Sequence, residues 1–161
     1  MARNARLLAA AAALLFSLPA ASADLFNNTN TGGVLNGASP PTWLNAQTVH
    51  VTQIETYHWN GGRGATPGTI TIKSLSGPSY GPFKATGSAG QGGAPNVNWV
   101  ANVDVTLTIG TYQILDSDPA TWSQNVATRG IGFAILRGDR VAAGATPAPP
   151  APVSATPSRL P

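Results

Sequence analysis

The chain has 161 residues, no cysteine, 14 prolines, 18 glycines and only 9% charged side chains. That excludes a disulfide framework, thiolate chemistry and a long charged helical protein, and it leaves room for one modest domain with appendages. The formal charge of +3 suggests nucleic acid or a membrane only until the bases are located: Arg3, Arg6 and Arg159 lie at the ends, and between Asp24 and Gly138 five bases (Arg63, Lys73, Lys84, Arg129, Arg137) meet five acids (Asp24, Glu55, Asp104, Asp116, Asp118).

Residues 1–23 read as a secretory signal. Arg3 and Arg6 form a positive n-region, Leu7 to Phe16 an apolar h-region of ten residues, and Ala21-Ser22-Ala23 a small-residue cleavage pattern. The h-region is about half the ~20 apolar residues that span a bilayer. The expected product is exported, to the periplasm or beyond the cell, begins at Asp24 and has no membrane span after processing.

Residues 24–138 are expected to form an all-β domain, an antiparallel, jelly-roll-like β-sandwich of seven or eight strands. Glycine-rich turn signals such as Asn60-Gly61, Ser76-Gly77-Pro78 and Gly92-Gly93 alternate with short runs of Val, Ile, Thr and aromatics. Alternation places strands at Thr48 to Trp59, Gly68 to Ser74, Ser79 to Lys84, Asn98 to Ala101, Val103 to Thr108, Thr111 to Asp116 and Gly130 to Leu136, with a short one near Gly33 to Asn36. In the first run Val49 and Val51 share a face but Ile54 has the opposite parity, so a bulge near Thr52 or Gln53 is expected. Inward rows are assigned to Ile70 and Ile72; to Val103, Val105 and Leu107; to Tyr112 and Ile114; and to Ile131, Phe133 and Ile135. Residues 139–161 shift to alanine and proline without periodicity and are expected to be a disordered tail.

Catalytic groups are scarce. His50 and His58 are the two histidines, and neither a nucleophile elbow, a zinc-protease motif nor a phosphate loop is present. Both histidines are read as structural or surface residues, and no cofactor is expected. A small hydrolase would need a cleft joining a histidine to two carboxylates. Asp116-Ser117-Asp118-Pro119, with Asn125 downstream, offers oxygen ligands that suit Ca²⁺. The same residues are ordinary turn formers whose side chains accept backbone N–H groups, and the turn reading is preferred.

The aromatics give the strongest functional signal. Glu55, Tyr57 and Trp59 alternate along one strand and so project from one face, beside a loop in which Asn60 and Arg63 supply polar contacts. Such a row can stack on pyranose rings and bond their hydroxyls, or it can plug an end of the sandwich. Trp43, Trp99 and Trp122 could extend the surface, although for Trp122 the plugging role is preferred. The few dispersed bases argue against nucleic acid.

Thr56-Tyr57-His58-Trp59-Asn60, Gly64-Ala65-Thr66-Pro67-Gly68-Thr69-Ile70, Tyr80-Gly81-Pro82-Phe83 and the run from Asp116 to Asn125 together resemble a group of small exported bacterial β-rich proteins of uncharacterised function. The resemblance implies export and a single sandwich-like domain; it carries no activity or ligand. The expected protein is a monomeric, non-catalytic binding module for carbohydrate or another extracellular glycan. The alternative is a structural or adhesion module of the cell surface or matrix with no small-molecule ligand.

Overall fold

The computed structural model describes residues 22–141. The signal and almost all of the tail read from the sequence lie outside the described residues. The strands are β1 (Ala23–Asn27), β2 (Leu35–Asn36), β3 (Thr42–Asn45), β4 (Val49–Tyr57), β5 (Thr69–Ser74), β6 (Ser79–Lys84), β7 (Thr86–Ser88), β8 (Asn98–Leu107), β9 (Gly110–Asp116), β10 (Ser123–Gln124) and β11 (Ala134–Arg140). Only two short 3-10 turns, Asn60–Gly62 and Gln91–Gly93, interrupt this all-β architecture, and no described helix is long and apolar enough to cross a membrane.

One sheet has the order β1-β11-β4-β8-β7, another β3-β9-β5-β6, and β10 pairs with β2 in a small ribbon. All pairings within these sheets are antiparallel. Setting aside the short edge strand β7 and the ribbon, the two orders are those of a double Greek key, the jelly-roll β-sandwich. Apolar side chains from both sheets form one core: Val51, Ile54, Trp99, Leu107 and Leu136 from the first, and Ile70, Ile72, Tyr112 and Ile114 from the second. Trp99 and Trp122 are fully buried, and each indole N–H finds a carbonyl, Ala65 at 3.2 Å and Phe133 at 2.8 Å respectively. A buried indole satisfied in this way is a packing element, so Trp99 and Trp122 add nothing to a ligand surface, and Trp43, only 9% exposed, packs between Phe26 and Tyr112.

The bulge expected in β4 is present. Its register slips between Val51 and Gln53 against β8, and opposite the same residues β11 slips between Arg137 and Gly138. The slip puts Val49, Val51, Ile54 and Thr56 in the interior and leaves Gln53, Glu55 and Tyr57 on the outer face. It also brings β11 so close that a Cβ on Gly138 would collide with the His50 carbonyl oxygen. Gly138→Val is therefore expected to lower stability by about 1–3 kcal/mol, as overpacking does. Thermal unfolding checks this, and an unchanged midpoint would show that the bulge can open.

Four details depart from the sequence reading. Asn98–Leu107 is one continuous strand, because every odd residue from Trp99 to Leu107 faces the interior and Asn102 occupies an ordinary outward position. β4 stops at Tyr57, so Trp59 is not a strand residue. β11 begins at Ala134 and runs to Arg140, past the expected end of the domain at Gly138; beyond it, the Val141 amide bonds the Thr48 carbonyl at 3.0 Å. Its inward side chains are Ala134 and Leu136, fixed by the pairing of Leu136 with Ile54, and Ile135 consequently faces outward.

Candidate functional site

On the outer face of the five-stranded sheet, Glu55 is the cross-strand neighbour of Ile135 on one side and Val100 on the other. Tyr57 lies two residues further along, with its ring 6.4 Å from that of Phe133. Glu55, Tyr57, Phe133 and Ile135 floor a cleft of about 570 Å³ whose walls are the strap Thr29–Val34, Trp59 and Gln91. Its size lies within the range of small-ligand pockets. A second hollow of about 530 Å³, lined by Phe26, Pro40, Pro41 and Ile131 among others, lies beyond the strap and shares Thr29 and Asn30 with the cleft.

The strap is held by asparagine side chains. Asn27 Oδ1 accepts the Thr29 amide at 2.9 Å and the Thr29 hydroxyl at 2.8 Å, closing an Asx turn. Asn28 acts as one more rung of sheet, donating to the Gly132 carbonyl at 2.9 Å and accepting the Ala134 amide at 2.8 Å. Asn30 and Asn125 exchange amide bonds of 3.3 and 2.6 Å, and the ribbon of β2 with β10 closes the far end.

Trp59 reaches the cleft from a tight turn rather than from a strand. Its amide donates to Ser123 Oγ at 2.9 Å, and its carbonyl accepts from the Gly62 and Gly64 amides at 2.9 and 3.3 Å. The turn requires positive φ at Asn60 (47°), Gly61 (65°), Gly62 (82°) and Gly64 (63°), which accounts for its run of Asn and Gly. Asn60 is absorbed by this turn: its amide donates to the Gly64 carbonyl at 2.8 Å, and its Oδ1 accepts from Asn36 at 2.9 Å. Of the five residues proposed from sequence to bind ligand, Glu55, Tyr57 and Trp59 line the cleft. Asn60 and Arg63 do not; Arg63 is exposed beside the turn.

The lining residues differ in chemistry. Glu55 Oε2 accepts from Arg137 Nη1 at 2.8 Å, and the same guanidinium serves Gln53 Oε1 at 2.7 Å and Asp24 Oδ1 at 3.4 Å. Burial pushes the Tyr57 phenol above its usual pKa, so the ring carries a neutral O–H at any ordinary pH. Phe133, Ile135, Asn30 and Gln91 complete the lining and were not singled out from sequence. Phe133 is buried, 3% exposed, as its inward assignment expects, and still borders the cleft, whereas Ile135 faces outward: the adjacent aliphatics Ile135-Leu136 fit either parity, and only pairing with β4 decides between them.

A second cluster of polar groups is sealed inside. His58 stacks on Trp99 at 3.7 Å, and its Nε2 lies 3.1 Å from Asp116 Oδ2 and 3.2 Å from Thr56 Oγ1. Its Nδ1 lies 2.9 Å from Thr121 Oγ1, whose own proton goes to Asp118 Oδ2 at 2.6 Å. The histidine is thus joined to two carboxylates, one directly and one through a hydroxyl. Neither cavity described above is lined by His58, Trp99, Thr56, Asp116, Asp118 or Thr121. His50, the other histidine, forms a surface pair with Asp104 at 2.6 Å on the outer face.

The calcium candidates are engaged as turn residues. Asp116 Oδ1 accepts the Asp118 amide at 2.8 Å, Asp118 Oδ1 accepts the Thr121 amide at 3.3 Å, and Ser117 Oγ accepts the Thr69 amide at 2.8 Å. Asn125 belongs to a different turn, exchanging bonds with Thr128 and Asn30. Among the described residues no three His, Cys, Asp or Glu side chains are placed to hold a metal ion. Millimolar calcium and a following chelator are expected to leave the unfolding midpoint unchanged. A chelator-sensitive midpoint that disappears in Asp118→Ala is the contrary result.

Compared with protein families, curated proteins and solved structures, the chain has no significant match.

Proposed function

We propose that this protein is an exported, monomeric, non-catalytic module that binds carbohydrate in the cleft beneath the Thr29–Val34 strap. The observation that carries the reading is the convergence of Glu55, Tyr57 and Trp59, from a strand and a turn, on one cleft with Phe133, Asn30 and Gln91. Sugar rings present C–H faces that pack on aromatic rings and hydroxyls that bond carboxylate and amide groups, and this lining offers both.

The lining also supports binding rather than cleavage. Glycoside hydrolysis uses two carboxyl groups on either side of the scissile bond. Among the described residues that line the cleft, Glu55 is the only carboxylate, and one of its oxygens is tied to Arg137. The leader-like pattern of residues 1–23 supports export. The direct test is retention of the purified exported chain on a panel of insoluble polysaccharides and a glycan array. Specific retention on at least one glycan supports the reading, and uniform flow-through overturns it.

The alternative, a structural or adhesion module, draws on a different surface. Leu44, Leu75 and Ile109 are 70, 52 and 69% exposed at one end of the four-stranded sheet, where Leu44 pairs with Thr111 and the Leu75 amide bonds the Thr111 carbonyl. Clustered exposed aliphatics mark contact surfaces. Loss of surface adhesion in Leu44→Ser, with glycan retention absent in the parent, would favour this reading.

A further inference from the structure

We infer that the cleft selects amino sugars bearing a free, protonated amine over neutral and acidic sugars, and that Glu55 is the residue that reads the charge. This rests on the carbohydrate reading and names the class of sugar. Among the described residues lining the cleft, Glu55 is the only carboxylate, and no lysine, arginine or histidine lines it. Arg137 stands behind Glu55, and its guanidinium is divided between Glu55, Gln53 and Asp24, so one cation serves two carboxylates. The surplus is negative.

Geometry gives that charge an outlet. Glu55 Oε2 takes the Arg137 bond, whereas Oε1 makes no hydrogen bond among the described residues and is not a buried unsatisfied atom. The arginine therefore fixes the carboxylate while leaving one charged acceptor for a ligand. An ammonium group is the strongest complement to such an acceptor, through a charge-assisted hydrogen bond. The surrounding rings add to the effect: Tyr57 and Trp59 present aromatic faces, with Phe133 6.4 Å from Tyr57, and cations are drawn to such faces. A uronic acid meets the reverse situation, bringing a second carboxylate beside Glu55 with no free base to receive it.

The balance of charge in the domain makes the test clean. Between Asp24 and Gly138 five bases meet five acids, so retention on a polycation does not come from a net negative field of the domain. The full chain is passed over beads of chitosan, chitin, cellulose and cross-linked alginate at about pH 6 and at about 0.15 M salt, which screens distant charges. Retention on chitosan is expected to exceed that on chitin or cellulose by about tenfold, the effect of one good charged contact, with none on alginate. Glu55→Gln should bring chitosan down to the level of chitin while the unfolding midpoint confirms a folded protein.

Competition on the unmodified chain gives a readout that does not depend on the variant's folding. Free glucosamine should elute it at about a tenth of the glucose concentration required. Equal retention on chitosan, chitin and cellulose, or equal elution by the two sugars, overturns the charge selectivity while leaving the sugar platform standing. So does a chitosan preference that survives in Glu55→Gln. Flow-through on all four materials overturns the selectivity, and flow-through across the wider glycan panel as well overturns the platform with it.

Discussion

Asp116→Ala is expected to lower stability by about 3–5 kcal/mol, the cost of stripping one partner from a buried pair. Asp116 and His58 have side chains with no solvent exposure. The substitution removes acceptors from Thr56 Oγ1 at 2.8 Å, His58 Nε2 at 3.1 Å and the Asp118 amide at 2.8 Å in a single step. Water cannot replace them without opening the stack of His58 on Trp99, which are 3.7 Å apart. For a domain of this size the loss corresponds to a fall in midpoint on the order of 10–20 °C. A fall of only a few degrees would show that the cluster relaxes around the deletion. Thr121→Val is a milder companion: it breaks the link between His58 and Asp118 but keeps the volume, so a smaller loss is expected.

Trp59→Ala should abolish glycan retention while changing stability by no more than about 1 kcal/mol. The expectation rests on a division of labour within one residue. The turn is held by the backbone of Trp59, through the amide bond to Ser123 and the carbonyl bonds from Gly62 and Gly64. The indole lies over Gly62, within 3.6 Å of the position a Cβ there would occupy, and lines the cleft. Truncating the side chain therefore leaves the scaffold bonds in place and removes a wall. Measuring retention and unfolding on the same protein separates the outcomes. A stability loss of about 3–5 kcal/mol, the range for a core aromatic, would make Trp59 a packing residue and the platform reading would fall with it.

The β-sandwich was legible from the sequence because its signals are local: period-two runs, turn residues at short intervals, and the parity break at Val51-Thr52-Gln53-Ile54 that announces a bulge. Glu55 and Tyr57 were legible for the same reason, since strand parity fixes a face. Trp59 shares a cleft with Glu55 and Tyr57 by a different route from the one its spacing implies, because the chain turns after Tyr57. The strands that escaped notice, β1, β3, β7 and β10, have five residues or fewer and draw their order from partners far along the chain. Asn28 shows why the strap could not be anticipated. It completes the sheet beside residues more than a hundred positions away, at Gly132 and Ala134, and no local pattern encodes such a rung. The His58 cluster is similar: the sequence draws attention to His58 and to Asp116 separately, and nothing local joins them to each other or to Thr56 and Thr121 until β4 and the turn after β9 are folded together.

The pairing of β1 with β11 governs how the cleft can be presented. Ala23 lies opposite Gly138, and Val141 stands three residues beyond that point, about 10 Å of strand away. Both ends of the described chain therefore leave from the same edge of the sandwich and toward the same pole, next to Thr48 and the beginning of β4. The strap, Tyr57 and Trp59 gather at the opposite end of those strands. A carrier joined at either end holds the domain by its base and leaves the mouth of the cleft pointing away. Fusion on the N-terminal or the C-terminal side should thus give ligand the same access, and a tether of a few residues is already long enough to keep the carrier clear.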